Sequence, residues 1–148
     1  LLQAVLIVVV VAAVWSLGPD WSGPLRLVGY VVGVALLGIG LILILRGVSD
    51  LGRARTPVPR PREGGELVET GIYAVVRHPI YAGLMFAAVG GAVINASLIA
   101  LALTACLAVV LWLKSMVEEA WLVQRYPGYA AYRARTGRFM PRVRRSPT

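Results

Sequence analysis

The residues able to do chemistry in this 148-residue chain fall in three runs. They are Arg77-His78-Pro79-Ile80-Tyr81-Ala82-Gly83, the pair Glu118-Glu119, and the tail Tyr126–Pro141 with Tyr129, Tyr132 and Arg138. Imidazole, carboxylate, phenol and guanidinium are the groups that hold ions or move protons. Between the first two runs the sequence is apolar, so polar chemistry bounds a hydrophobic hairpin at both ends. That order implies a catalytic or binding site where membrane meets water, built from residues far apart in sequence. His78 is the only histidine and Cys106 the only cysteine. No multi-histidine or thiolate metal site and no disulfide framework can therefore form, and no metal is expected. Cys106, in mid-helix, reads as a small buried residue.

Each signal has a plainer reading when taken alone. Arg77 and His78 would also serve as an interfacial anchor, with Tyr73 and Tyr81 in an aromatic belt. Glu118 and Glu119 could simply mark the membrane boundary. Adjacent residues on a helix diverge by about 100°, so these two do not make a paired-carboxylate site by themselves; one is expected inward and the other outward. Lys114, four residues before Glu118, suits a surface pair with it. Glu119 is then the inward candidate.

The elements that must position these groups are apolar. The chain is 58% hydrophobic, in four stretches: Leu1–Leu17, Leu25–Leu45, Ile80–Ile94 and Ser97–Val117. A helix needs roughly 20 apolar residues to cross the hydrocarbon layer. The second and fourth meet that need, whereas the first is marginal and the third short. A signal peptide is the rival reading of the first, but no basic segment precedes it and no small-x-small cleavage site follows before Pro19-Asp20-Trp21. The fold expected is an all-α integral membrane protein with about four transmembrane helices, near 1–17, 25–46, 79–95 and 97–118. A cytosolic C-terminal helical segment follows them.

Charge supports that topology. The net charge is +8, with 14 Arg and one Lys, which by itself would suit nucleic acid. The arginines, however, cluster between the second and third stretches and after the fourth, the pattern of cytoplasmic loops in a membrane protein. Four spans with both termini in the cytoplasm follow, and most arginines serve topology and contact with anionic headgroups. Gly29 and Gly33, and the ridge Gly83, Ala87, Gly91, have spacings that let helices approach closely.

The chain reads as a single domain over 1–148, with an N-terminal hairpin over 1–46, a cytosolic loop over 47–78 and a motif-bearing region over 79–141. Within the loop, Thr56-Pro57-Val58-Pro59-Arg60-Pro61-Arg62 excludes regular helix. Glu63-Gly64-Gly65-Glu66 is expected to turn, and Leu67–Val76 to approach the membrane as a strand-like or short helical segment. Pro79 suits the first turn of a helix. The fourth helix is expected to run on through Glu118–Arg125 to Pro127-Gly128, with a short helix over Tyr129–Thr136.

Taken together, Gly71-Ile72-Tyr73, Arg77-His78-Pro79-Ile80-Tyr81-Ala82-Gly83, Glu118-Glu119 with Leu122, Tyr126-Pro127-Gly128-Tyr129-Ala130-Ala131-Tyr132 and Arg138-Phe139-Met140-Pro141 resemble a known family. It is the family of integral-membrane methyltransferases that includes isoprenylcysteine carboxyl methyltransferase and phospholipid methyltransferases. The resemblance covers roughly residues 64–141, and the ordered set is more specific than Arg-His-Pro alone. It implies S-adenosylmethionine as methyl donor, in a cytosol-facing pocket closed by the C-terminal segment. It also implies cofactor contacts from His78, Tyr81, Glu118, Glu119, Tyr129 and Tyr132. Arg77, Glu119 and Arg138 would be the catalytic set, with the arginines orienting the acceptor or binding carboxylates. No strand, Gly-rich turn and helix suggests a Rossmann-type site. The acceptor would be a lipophilic small molecule or lipid-modified substrate entering from the bilayer, presenting a carboxylate, thiol or amine.

Two other classes compete. Membrane sterol reductases also carry an Arg-His-Pro-x-Tyr element and use NADPH, but typically have Asn after the Pro and an acidic residue after the Gly, where this chain has Ile80 and Leu84. A non-catalytic membrane protein such as a transporter subunit should carry charges within its spans. Here the charges within the spans, Lys114 among them, lie only near their ends.

Overall fold

Where no water reaches the backbone, a helix satisfies every amide within its own segment, and the apolar stretches are helical over nearly all of their described residues. The computed structural model describes residues 2–16, 23–52 and 67–142. The expected turns and proline run between 53 and 66, and Pro19-Asp20-Trp21, lie outside the described residues. Helix α1 covers Leu2–Ser16, α2 Pro24–Leu51, α3 Pro79–Ile94, α4 Leu98–Arg125 and α5 Tyr129–Arg135. Pro79 opens α3, where the amide it lacks has no intrahelical partner to lose. Gly71–Ala74 forms a single 3-10 turn, the short helical form of the expected approach. Among the described residues there is no strand, only an isolated parallel bridge between Val76 and Gly137.

Helices α2 and α4 have 28 residues each, about 42 Å at 1.5 Å per residue. Both are long and apolar enough to cross a membrane; α1 and α3 are shorter apolar helices. Two of the four expected spans thus reach full length. Helix α2 runs five residues past the expected end at 46, with Asp50 in its last turn. Leu27, Val28, Ile42 and Leu45 of α2, and Leu98, Ile99, Val109 and Leu113 of α4, are exposed. Apolar surface on this scale is costly in water and is what lipid tails cover.

The described residues gather into two compact units. The first comprises Leu1–Ile42 and Gly83–Leu113. Its helices α2 and α3 touch backbone to backbone: a Cβ at Gly33 would lie 2.8 Å from the Gly90 carbonyl oxygen, and one at Gly40 would lie 2.6 Å from the Ala87 nitrogen. The small-residue contact includes Gly33 and Gly40 against Gly83, Ala87 and Gly90. Cys106 is exposed, against the expectation of burial. The buried stripe of α4 passes through Ala100, Thr104, Leu107, Leu111, Ser115 and Glu119, and position 106 falls off it.

The second unit comprises Leu43–Ala82 and Lys114–Thr148 and contains every residue of the expected site. Its backbone joins two distant segments. Arg77 N donates to Gly137 O at 2.9 Å, His78 N to Arg138 O at 3.0 Å and Gly137 N to Val75 O at 3.3 Å. Tyr132 Oη donates to Tyr73 O at 2.7 Å beside them.

Candidate active site

The first turn of α3 and the end of α4 supply the centre of the site. His78 immediately precedes Pro79, and its carbonyl accepts from Ala82 N at 3.0 Å. Three residues on, Tyr81 stacks on the imidazole with ring centroids 5.4 Å apart and planes 9° apart. Phe139 approaches the same ring at 6.0 Å. The imidazole is buried and lies between two carboxylates: Nε2 is 3.2 Å from Glu119 Oε1 and Nδ1 is 3.6 Å from Glu118 Oε2. A carboxylate only accepts, so the hydrogen bond to Glu119 requires the proton on Nε2.

Glu119 continues the buried stripe of α4 and is 2% exposed. Such a carboxylate is costly unless paired, and three cationic or polar donors converge on it. Arg77 Nε donates to Oε1 at 3.0 Å and Arg138 Nη2 to Oε2 at 3.0 Å, with His78 as the third. Glu118 does not turn outward as expected. It accepts from Tyr81 Oη at 2.6 Å while also lying 3.9 Å from Lys114 Nζ. The 100° divergence on the helix remains, but His78 and Tyr81, on α3 and just before it, reach across it, so both carboxylates serve one cluster. The Lys114 ammonium stands 5.0 Å from the Tyr81 ring centroid, within range of cation–π attraction.

The two arginines differ. Arg77 also donates through Nη1 to Arg133 O at 3.1 Å and to the Thr136 carbonyl, so protein acceptors hold most of its fork. The Arg138 side chain has one hydrogen-bond partner among the described residues, Glu119, and is 27% exposed. Its remaining donors can take a planar anion.

Helix α5 adds Tyr129 and Tyr132, both buried and edge-on to each other at 5.7 Å. Burial pushes the Tyr129 phenol well above its usual range, with the Glu119 charge adding to it and Arg77 opposing. Burial likewise pushes Tyr132 up to about 12, against the charges of Arg77 and Arg135. Both phenols stay neutral at ordinary pH. Tyr132 Oη is satisfied by Tyr73 O, but Tyr129 Oη is a buried hydroxyl with no partner among the described residues.

All of these side chains belong to the second unit. Sequence reasoning gave no site role to Thr136, whose carbonyl holds Arg77, nor to Asp50, which accepts from Ile72 N at 2.7 Å. An acid in the last turn of an otherwise apolar helix was the available signal for Asp50; Thr136 had none. Among the described residues, no group of three or more His, Cys, Asp or Glu side chains could hold a metal ion.

The phospholipid methyltransferase family matches residues 28–128. The chain belongs to this family. The matched span of the phospholipid methyltransferase homologue takes in Arg77, His78, Tyr81, Glu118 and Glu119, while Tyr129, Tyr132 and Arg138 follow it. The chain is also similar to the cobalt-zinc-cadmium resistance protein CzcN of Cupriavidus metallidurans, 29% identical over 125 residues. That alignment covers 83% of this chain and 52% of CzcN, so the chain spans about half the length of this curated relative.

Proposed function

We propose that this protein transfers a methyl group from S-adenosylmethionine to a lipophilic acceptor at the cytosolic face of a membrane. The observation that carries this reading is the convergence of Arg77, His78 and Arg138 on the buried carboxylate of Glu119, in a chain of the phospholipid methyltransferase family.

The residues present fit such a donor. The orphaned Tyr129 hydroxyl offers a hydrogen bond that nothing else in the described structure uses. Arg138 has donors for an amino-acid carboxylate. Glu118 is an acceptor for an ammonium group, and the stacked faces of His78 and Tyr81 suit a cationic or aromatic neighbour. When bound, the donor supplies a methyl group already activated on a sulfonium.

The protein's part is then to position and to exclude water. Effective molarities in well-oriented systems are large enough for positioning to supply much of the rate. Glu119 keeps the guanidinium of Arg138 in one place, and Arg77, tied to Arg133 and Thr136, fixes Glu119 in turn. A carboxylate or thiolate acceptor would need no base. An amine would need a proton removed, and His78 Nδ1, 3.6 Å from Glu118, can hold it. The distribution of basic segments supports a cytoplasmic side for the site, by positive-inside logic.

Membranes containing the protein, incubated with S-adenosylmethionine labelled in its methyl group, should yield a labelled lipophilic product. Binding of NADPH in place of S-adenosylmethionine, with no labelled product from any lipid extract, would sink the proposal.

A further inference from the structure

The segment that carries Arg77, His78 and Tyr81 is held from behind by the last turns of α2, and the contact is specific. Asp50 Oδ2 accepts from Ile72 N at 2.7 Å, across 22 residues. Tyr73 Oη donates to Gly47 O at 3.2 Å. The Gly47 backbone lies so close to α3 that a Cβ there would be 2.7 Å from Ile80 Cγ1 and 3.2 Å from Pro79 Cγ. Gly71 completes the fit: its φ is +60°, and a Cβ on it would overlap Asp50 Oδ2 and lie 2.6 Å from Cγ.

A carboxylate in the last turn of a helix opposes the helix dipole, so nothing in α2 itself favours an acid at position 50. Its use lies at the 3-10 turn, whose first amide nitrogens have no intrahelical acceptor. By accepting from Ile72 N, Asp50 sets where that turn begins. His78 lies six positions beyond Ile72, and between them Val75 N and Val76 N donate back to Ile72 O at 3.1 and 3.0 Å. The run from Asp50 to the imidazole is therefore a chain of short, directional bonds with little slack.

We propose that Asp50, with Gly71 shaped to admit it, is a positioning residue for the methyl-transfer site, setting the placement of His78 against Glu119. The role rests on the methyltransferase reading for its effect on rate, though the geometry it controls can be measured without activity. His78 is the only histidine in the chain, so the imidazole carbon–proton NMR signal of this chain, histidine-labelled and in detergent, reports this one side chain.

Asp50→Ala should shift that signal and lower kcat by about tenfold or more, as expected when a reacting group is displaced by a fraction of an ångström to an ångström. Asp50→Asn keeps an acceptor oxygen and should restore both. Gly71→Ala, which pushes Asp50 away, should reproduce the Asp50→Ala shift, and serves alone if that variant does not fold. An unmoved His78 signal in Asp50→Ala or Gly71→Ala, with kcat retained, would overturn the proposal and leave Asp50 a structural residue only. If the unaltered protein neither binds S-adenosylmethionine nor transfers methyl groups, the functional reading fails, and the His78 signal still decides the placement role.

Discussion

His78 Nε2 stands 3.2 Å from Glu119 Oε1, although 41 residues and an entire helical hairpin separate them in sequence. Around that pair the polar chemistry of the chain is organised: Arg77 and Arg138 neutralise the carboxylate, Tyr81 and Phe139 flank the ring, and Glu118 faces its other nitrogen.

Replacing Glu119 with Ala would leave Arg77 and Arg138 without their shared counter-ion. Removing one partner of a buried ion pair costs about 3–5 kcal/mol, and methyl transfer should be abolished. Glu119→Gln keeps the shape and should recover part of the stability but little of the activity. Denaturant unfolding in detergent and transfer of labelled methyl groups measure the two effects.

Lysine should not replace the two arginines equally. Arg77 spends Nε and Nη1 on acceptors in different directions, a geometry an ammonium cannot match. Arg77→Lys should destabilise by about 2 kcal/mol, of the order of one or two buried acceptors left unpaired. The Arg138 side chain has a single hydrogen-bond partner among the described residues, so Arg138→Lys should leave stability within about 0.5 kcal/mol and weaken S-adenosylmethionine binding. Equal stability losses would count against the division of roles.

The two α5 tyrosines give opposite expectations. Tyr129→Phe removes a hydroxyl with no partner among the described residues, so the ligand-free protein should hold its stability or gain up to about 1 kcal/mol, while S-adenosylmethionine affinity falls. Tyr132→Phe removes the hydrogen bond to the Tyr73 carbonyl and should cost about 1 kcal/mol. A stability loss in Tyr129→Phe would show that the hydroxyl has a structural role.

Alkaline pH should also act through Tyr132. Its folded-state pKa is raised to about 12 from 10, so the native state keeps the proton more tightly than the unfolded chain does. The associated stability is fully present below pH 10 and is lost as pH rises toward 12. Tyr132→Phe should flatten the fall over that interval, which unfolding midpoints against pH would record.

Helix packing in the first unit predicts a contrast among glycines of α2. Gly33→Ala puts a methyl 2.8 Å from the Gly90 carbonyl oxygen, whereas Gly38→Ala meets nothing within 4 Å. Overpacking costs about 1–3 kcal/mol, while relieving an unneeded helix glycine gains roughly 0.5–1 kcal/mol. Gly33→Ala should therefore destabilise and Gly38→Ala should not, judged by thermal unfolding in detergent.

The sequence by itself determined the helices, their apolar character and the identity of the groups able to act. Hydrophobic run length set α2 and α4, and Pro79 and Gly128 marked where α3 and α5 begin. The family motifs could be ordered along the chain because they are local. Partnership was not legible in this way. The phase of α4 alone left Glu118 apparently outward, and only the approach of His78 and Tyr81 drew both carboxylates into one cluster. Likewise, nothing local distinguished Arg77, clasped by the carbonyls of Arg133 and Thr136, from Arg138, held by one bond. Burial of Cys106 was misjudged for the same reason, since its exposure depends on which side of α4 packs. Tertiary structure alone decided these points, because which acceptors a long side chain reaches depends on backbone segments that are distant in sequence and brought together by packing.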